Sequence, residues 1–360
     1  MPLTPEELEQ HYRQVAEAIL LGRVVPFLGA GINLIDRSEL ESFQIGVNLP
    51  SGGELAAQLA EAFGYPGVEE CPLAPTSDTA PALVAVAAGS PGLEGTGGAR
   101  RCLRPRAQID LARVAQYGDS MHGDGALYEN LGRILHYPGA PTSAHRFLTS
   151  LPSPAGLSRG AEEARHPLIV TTNYDDLLEQ QYLADCGCRD YDMVFYWPRK
   201  PEDREPTLFH HSASGAEPVA IRDAANYAHP FFERCPAILK IHGTIRSNPN
   251  LDSFVITEND YVTYLADNTL ESLLPRRLLK KLQTNHLLFM GYSLQDWNLR
   301  VFLQRLKRSQ RSYRAWSIVR EDNPADRVFW ERQGIHIIPM RLSEYLRGLG
   351  AALQRTERGA

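Results

Sequence analysis

Cysteine, long apolar runs and excess positive charge are all scarce in this chain, and each scarcity excludes something. The five cysteines, Cys71, Cys102, Cys186, Cys188 and Cys235, are odd in number and contain no Cys-x-x-Cys spacing. Neither a disulfide framework nor a zinc ribbon is supported, and Cys186-Gly187-Cys188, with no second pair, reads as surface thiols, so no metal is expected. No stretch approaches the ~18 apolar residues of a membrane span. The acidic start, with Glu6, Glu7 and Glu9, has neither the basic nor the apolar region of a signal peptide. A soluble, cytoplasmic protein is the expectation. With 37 basic and 43 acidic side chains the net charge is −6, which gives no general attraction to nucleic acid or an anionic membrane.

What is present is an ordinary globular balance, 43% hydrophobic and 22% charged over 360 residues. That is enough for one large α/β domain or two smaller ones with a sizeable core. The chain is organised around Val24-Val25-Pro26-Phe27-Leu28-Gly29-Ala30-Gly31-Ile32-Asn33. Val24 to Leu28 reads as a buried strand. Gly29 and Gly31 lack a Cβ and let another group approach the backbone. A helix starting near Asn33 would direct N–H groups at that space, as suits a phosphate. Gly-Ala-Gly is only half of the dinucleotide fingerprint, and a plain strand-to-helix turn is the alternative.

Residues 5 to 21 read as an amphipathic helix with Thr4 as N-cap and Pro5 at its first position. Leu34 to Pro50 reads as a loop over the site, and Ser51 caps a helix through Phe63. Gly64 to about Pro105 is rich in Pro, Gly, Ala and Ser, and within it Pro91 to Gly98 has the composition of a mobile loop. Helices follow over Ile109 to Tyr117, Ala126 to Leu135 and the Pro141-started stretch to Leu148. Apolar runs then recur at Leu168 to Thr172, Ile238 to Ile241, His286 to Met290, Ala315 to Val319 and Ile335 to Ile338. Together with the first they make six strands. Their near-continuous apolarity indicates cover on both faces, hence a parallel sheet, with crossover helices such as Leu270 to Gln283 and Trp297 to Lys307. The expected architecture is a Rossmann-like α/β domain over residues 1–350, with insertions at about 64–130 and 186–236 forming a smaller helical and loop module. The aromatic-rich segment Cys186 to Pro236 reads as an insertion over the sheet edge. Its Phe195, Tyr196, Trp197, Phe209, Phe231 and Phe232 offer either core or a subunit interface.

Ligands of open α/β sheets collect beyond the carboxyl ends of the strands. Four strands in succession end in chemistry-bearing residues: Gly29-Ala30-Gly31, then Thr172-Asn173-Tyr174-Asp175-Asp176, then His242-Gly243-Thr244, then Gly291-Tyr292-Ser293. Each has a plain alternative. Asn173 could cap a helix beginning at Tyr174, His242 could be a core histidine, and Ser293 could cap the next helix with Asp296. Their joint placement points to a dinucleotide site.

These pieces, with the Pro141-x-x-x-His145-x-x-Leu148 helix, stand in the order found in sirtuins, and the chain resembles the divergent bacterial sirtuin-like branch. In that branch Val255-x-Thr257-Glu258-x-Asp260-Tyr261 is also typical. The resemblance implies that Gly29, Ala30, Gly31, Asn33, Thr172, Gly243, Gly291, Tyr292 and Ser293 bind NAD. It also implies that Asn173 and Asp175 line the nicotinamide end and that His242 is the general base. The four-cysteine zinc module of sirtuin deacylases has no counterpart here. The implied activity is hydrolysis of NAD to nicotinamide and ADP-ribose, as an effector of bacterial antiphage defence. Protein deacylation, ADP-ribosyl transfer and a non-catalytic NAD or ADP-ribose-binding assembly role are the alternatives. An ordinary dehydrogenase is disfavoured because Leu34 stands where a third glycine is needed. The chain is expected to be a homo-oligomer through its aromatic-rich insertion, and the resemblance implies that compact effectors of this kind often work beside a second protein, for which a HerA-type ATPase is one possibility.

Overall fold

A computed structural model describes residues 3–66, 109–151, 166–185, 191–197, 207–213, 217–227, 235–246, 252–266, 274–292, 300, 302–304, 306, 314–321 and 323–359. Ser293, the thiols at 71, 102, 186 and 188, and the rings at 231 and 232 lie outside these residues.

All six expected strands are present: β1 (Val24–Leu28), β2 (Leu168–Thr171), β6 (Ala237–Lys240), β9 (His286–Met290), β10 (Ala315–Val319) and β11 (Ile335–Pro339). They belong to a sheet of nine, in the order β11-β10-β9-β1-β2-β6-β3-β4-β5. The three additional strands, β3 (Asp192–Trp197), β4 (Thr207–Ser212) and β5 (Val219–Ile221), come from the segment read as an insertion. Every pairing from β11 to β3 is parallel, and β4 and β5 then add antiparallel at the edge. The expected aromatic surface is corrected in part: Phe195, Tyr196, Trp197 and Phe209 are buried side chains of β3 and β4. Alternate residues of a strand covered on both faces must all be apolar, and these rings fill that need.

Burial on both faces follows the same logic along β1, where Val25 and Phe27 enter one core and Val24 and Leu28 the other. One core is built with α1 (Pro5–Leu20), α5 (Ser143–Thr149), α6 (Leu177–Ala184) and α10 (Leu342–Gly359). The other is built with α8 (Arg276–Thr284), the helical residues 302–304 and 306, and α9 (Pro324–Arg332). The class is therefore Rossmann-like α/β. A third apolar cluster unites α2 (Gly52–Phe63), α3 (Leu111–His122) and α4 (Asp124–Leu135) with Tyr174, Ile245, Phe254 and Ile256, a small helical module at the carboxyl edge of the sheet.

Local chemistry sets the boundaries. Thr4 and Ser51 both form capping boxes, with Glu7 and Glu54. The turn after β1 departs from expectation: residues Ala30–Leu34 form a 3-10 helix rather than leading into an α-helix near Asn33. No described helix is long and apolar enough to cross a membrane.

Past β6 the chain folds into a two-stranded ribbon, β7 (Gly243–Thr244) with β8 (Ser253–Phe254). Asp252 accepts a hydrogen bond from the Arg246 N–H at 2.7 Å. Burial raises its pKa to about 6, against the opposing effect of Arg246. Because the folded pKa lies above the unfolded one, the native state binds the proton more tightly, and stability falls as pH rises from about 4 to 6. Asp252→Asn keeps the acceptor and removes the titration. It should raise stability at pH 8 by roughly 1–2 kcal/mol after allowance for solvent screening, and leave it unchanged near pH 4. Urea unfolding at the two pH values checks this, and an equal gain at both would refute it.

Candidate active site

The strand order reverses at β1, which carries β2 on one side and β9 on the other. The crevice beyond its carboxyl end is the topological switch point of the sheet. A cavity of about 1060 Å³ lies there, at the upper end of what small-molecule sites require. Its wall includes Gly29, Ala30, Gly31, Asn33, Thr172, Asn173, Asp175, Gly291 and Tyr292, so nine of the sequence-derived residues converge on one space.

The glycines interlock. The Gly29 N–H donates to Met290 O at 3.0 Å and the Gly31 N–H to Gly291 O at 2.9 Å. A Cβ on Gly29 would stand 2.7 Å from Gly291 O, and one on Gly31 would stand 2.8 Å from Gly291 Cα. Much of the need for glycine thus comes from backbone packing on backbone. The Tyr292 hydroxyl donates to Thr172 Oγ1 at 2.9 Å, linking the β9 and β2 ends.

The loop after β2 does not cap a helix at Tyr174. Helix α6 begins at Leu177, with Asp176 at its N-cap. Asn173 is therefore free of capping: its Nδ2 donates to Gly29 O at 3.2 Å, and its N–H donates to Thr171 Oγ1 at 3.0 Å. Asp175 accepts from Asn33 Nδ2 at 2.7 Å. The Asn33 Oδ1 is buried and has no hydrogen-bond partner among the described residues. Tyr174 fixes the loop from outside, donating through its hydroxyl to Val255 O at 2.9 Å and accepting from the Ile245 N–H at 2.8 Å.

His145 sits at the start of α5, where its Nδ1 accepts from the Thr142 N–H at 3.1 Å. Burial lowers its pKa against the pull of the Asp175 carboxylate. The Thr142 hydroxyl donates to Ile32 O at 3.1 Å, and thereby holds α5 against the 3-10 turn.

His242 stands one ring back from the wall. It is buried and meets Tyr261 edge-on, with ring centres 5.4 Å apart, and Tyr261 lines the cavity. Tyr261 is delivered by α7 (Glu258–Ala266), whose start is fixed by Asp260 accepting from the Thr257 N–H at 3.0 Å and donating its own N–H to Thr257 Oγ1 at 3.0 Å. The Thr257-x-x-Asp260 spacing is thus a cap that aims the next residue. Gly243, with φ +94, is not part of the cavity wall; a Cβ there would stand 2.1 Å from Ser253 O in the β7–β8 ribbon.

Several wall residues went unassigned in the sequence. Arg320 and Glu321 follow β10, and Asn323, Arg327 and Trp330 present one side of α9 to the cavity. The rule that ligands lie beyond strand ends could have found the first two. Glu39, on the loop over the site, bridges Arg320 at 2.8 Å and Arg341 at 2.5 Å. Lys240 and Glu179 form a buried ion pair at 2.6 Å beneath the Asp175 loop. Among the described residues no cluster of three His, Cys, Asp or Glu is placed to hold a metal ion.

Fold and crevice define a Rossmann-like protein with its cavity at the switch point of the sheet. Residues 167–338 match the SIR2-like domain family, and over that span the chain is sirtuin-like. A stretch of 175 residues is 25% identical to Defense-associated sirtuin 2 of Bacillus subtilis; it covers 47% of this chain and 14% of that relative. Among solved structures, one described under "Structural Basis for the Mechanism and Regulation of Sir2 Enzymes" overlays with TM-score 0.40 at 13% identity, covering 96% of this chain and 98% of that one.

Proposed function

We propose that this chain hydrolyses the nicotinamide–ribose bond of NAD, releasing nicotinamide and ADP-ribose, as an NAD-depleting effector of antiphage defence. The observation that carries the reading is the convergence of Asn173, Asp175 and Asn33 with the Gly29, Gly31 and Gly291 backbones on one switch-point cavity. The SIR2-like match and the defence-associated relative support it.

In this reading the dinucleotide lies along the carboxyl edge, with phosphates over the glycine turn and the adenosine end toward Gly291, Tyr292 and the outer wall. Asn173 and Asp175 face the nicotinamide end. As the C1′–nitrogen bond breaks, positive charge grows on the ribose, and a fixed carboxylate beside it favours that state. The unpartnered Asn33 Oδ1 is an acceptor for a substrate donor. Water adds at C1′ and its proton goes to a base. His242 is the residue proposed to take it, from water or through a ribose hydroxyl. No metal is part of the scheme. Self-association, or activation by a second protein such as a HerA-type ATPase, belongs to the same proposal.

Incubating the purified protein with NAD and quantifying nicotinamide and ADP-ribose tests the reading. Equimolar release of both supports hydrolysis. Nicotinamide release only with an acyl-peptide would indicate a deacylase. Binding of ADP-ribose without any turnover, at every protein concentration and with partner added, would leave a binding module and end the proposal.

A further inference from the structure

Lys240 is the last residue of β6, two before His242, and it is wholly buried. A lysine at that depth needs acceptors for its ammonium hydrogens and a counter-charge. Both are supplied from one place. Its Nζ pairs with Glu179 Oε1 at 2.6 Å and also donates to the main-chain carbonyl of Asp175. Glu179 lies in the first turn of α6, and its pKa is raised by burial against the pull of Lys240.

The ion pair joins β6 to α6, while the second contact reaches beyond both: the Asp175 carbonyl belongs to the irregular loop Thr172–Asp176, of which residues 172–175 line the cavity. The loop is anchored at its start by the Thr172 N–H to Leu28 O at 3.1 Å and in its middle by Tyr174. At Asp175 it is held by Asn33 from the cavity side and by Lys240 from below. The same Lys240 backbone continues directly into the strand end that carries His242.

We propose that Lys240, with Glu179 as its counter-ion, is a positioning residue that ties the Asn173–Asp175 loop to the His242 strand end, so that both halves of the site keep one geometry. This deepens the NAD-hydrolase reading and rests on it for its effect on turnover. It touches no substrate. Its loss should let the loop relax while the phosphate and adenosine walls remain. A displacement on the order of 1 Å at reacting groups is enough to cost about 10²-fold in rate.

A single Lys240→Met variant would leave Glu179 buried without its partner and confuse folding with function. The informative variant is Glu179→Leu with Lys240→Met, since an apolar pair of similar volume often replaces a buried ion pair without loss of stability. The expected result is a folded protein with thermal stability near wild type, kcat reduced by about 10- to 100-fold and KM for NAD within about threefold. Hydrogen exchange at the amides of residues 173–177 should quicken at least about tenfold, with β1 and β9 unchanged. Should the apolar pair fail to fold, Glu179→Gln with Lys240→Gln tests the same point, because the glutamine amide stops a bond short of the lysine nitrogen. A folded double variant with wild-type kcat and unchanged exchange at 173–177 overturns the proposal. The exchange readout needs no turnover. If wild type releases no nicotinamide, the hydrolase reading fails while the tether is still judged on its own.

Discussion

Replacing Asn173 with alanine should lower nicotinamide release by about 10²–10⁴-fold and leave the fold in place, and His242→Ala should do the same. The argument for Asn173 begins with what its side chain does not do. It caps no helix, since α6 starts at Leu177. Its Nδ2 contact to Gly29 O, at 3.2 Å, joins two pieces already held by the Thr172 N–H to Leu28 O at 3.1 Å. Truncation therefore removes one neutral hydrogen bond, worth about 1 kcal/mol, while deleting a polar group from the part of the cavity proposed to hold nicotinamide. The His242 carbonyl accepts from the Val255 N–H at 2.8 Å whatever the side chain, and the ring meets Tyr261 edge-on. Truncation at a buried site leaves a small void, so His242→Gln, which fills most of it, is the companion variant. Both substitutions are read by nicotinamide release alongside thermal unfolding. Wild-type turnover in a folded Asn173→Ala or His242→Ala protein removes that residue from the mechanism.

Why some of this was legible in the sequence and some was not follows from the physics of each element. The six core strands are apolar on both faces, so Val24 to Leu28 or His286 to Met290 stands out without any alternation to interpret. Strands β3 to β5 hide for the opposite reason. β3 opens with Asp192, buried against His210 at 2.9 Å, and His210 in turn meets the Tyr227 hydroxyl at 2.8 Å. A strand that buries a carboxylate and an imidazole as partners looks polar in one dimension. β5, at the sheet edge, has only Ile221 buried. The strand ends were legible because glycine, asparagine and histidine after an apolar run are few in kind and recur at four successive ends. Lys240 was not, since a lysine closing a strand ordinarily reads as the point where the chain meets water. Its counter-ion lies 61 residues away, and only the packing of α6 on the sheet brings the two together. The position of His242 one ring behind Tyr261 likewise depends on a cap at Thr257 that no local pattern around His242 announces.

Gly291→Ala should destabilise the protein by about 2–5 kcal/mol and abolish ADP-ribose binding in whatever remains folded. Two costs combine. The first is conformational: Gly291 has φ +70, where an L-residue loses about 1–2 kcal/mol to the clash of its Cβ with the carbonyl oxygen. The second is steric. An added Cβ would stand 2.4 Å from Ile32 N, 2.8 Å from Gly31 C and 2.9 Å from Gly29 O. All three are main-chain atoms of the 3-10 turn and cannot swing aside as a side chain would. Relief requires moving the end of β9 away from the end of β1, which breaks the Gly31 N–H to Gly291 O bond and opens the floor of the cavity. Overpacking of this kind costs a further 1–3 kcal/mol, roughly, in well-packed interiors. Gly64 supplies the control. It also has positive φ, +58, as the left-handed cap of α2, but a Cβ there meets nothing within 4 Å. Gly64→Ala therefore isolates the conformational cost, expected at about 1 kcal/mol. Urea unfolding of the two variants beside wild type separates the terms, with calorimetric titration of ADP-ribose into each. If Gly291→Ala loses no more stability than Gly64→Ala and still binds ADP-ribose, then the turn after β1 and the turn after β9 are not interlocked. The glycines would then have to be explained by the ligand they cradle rather than by each other.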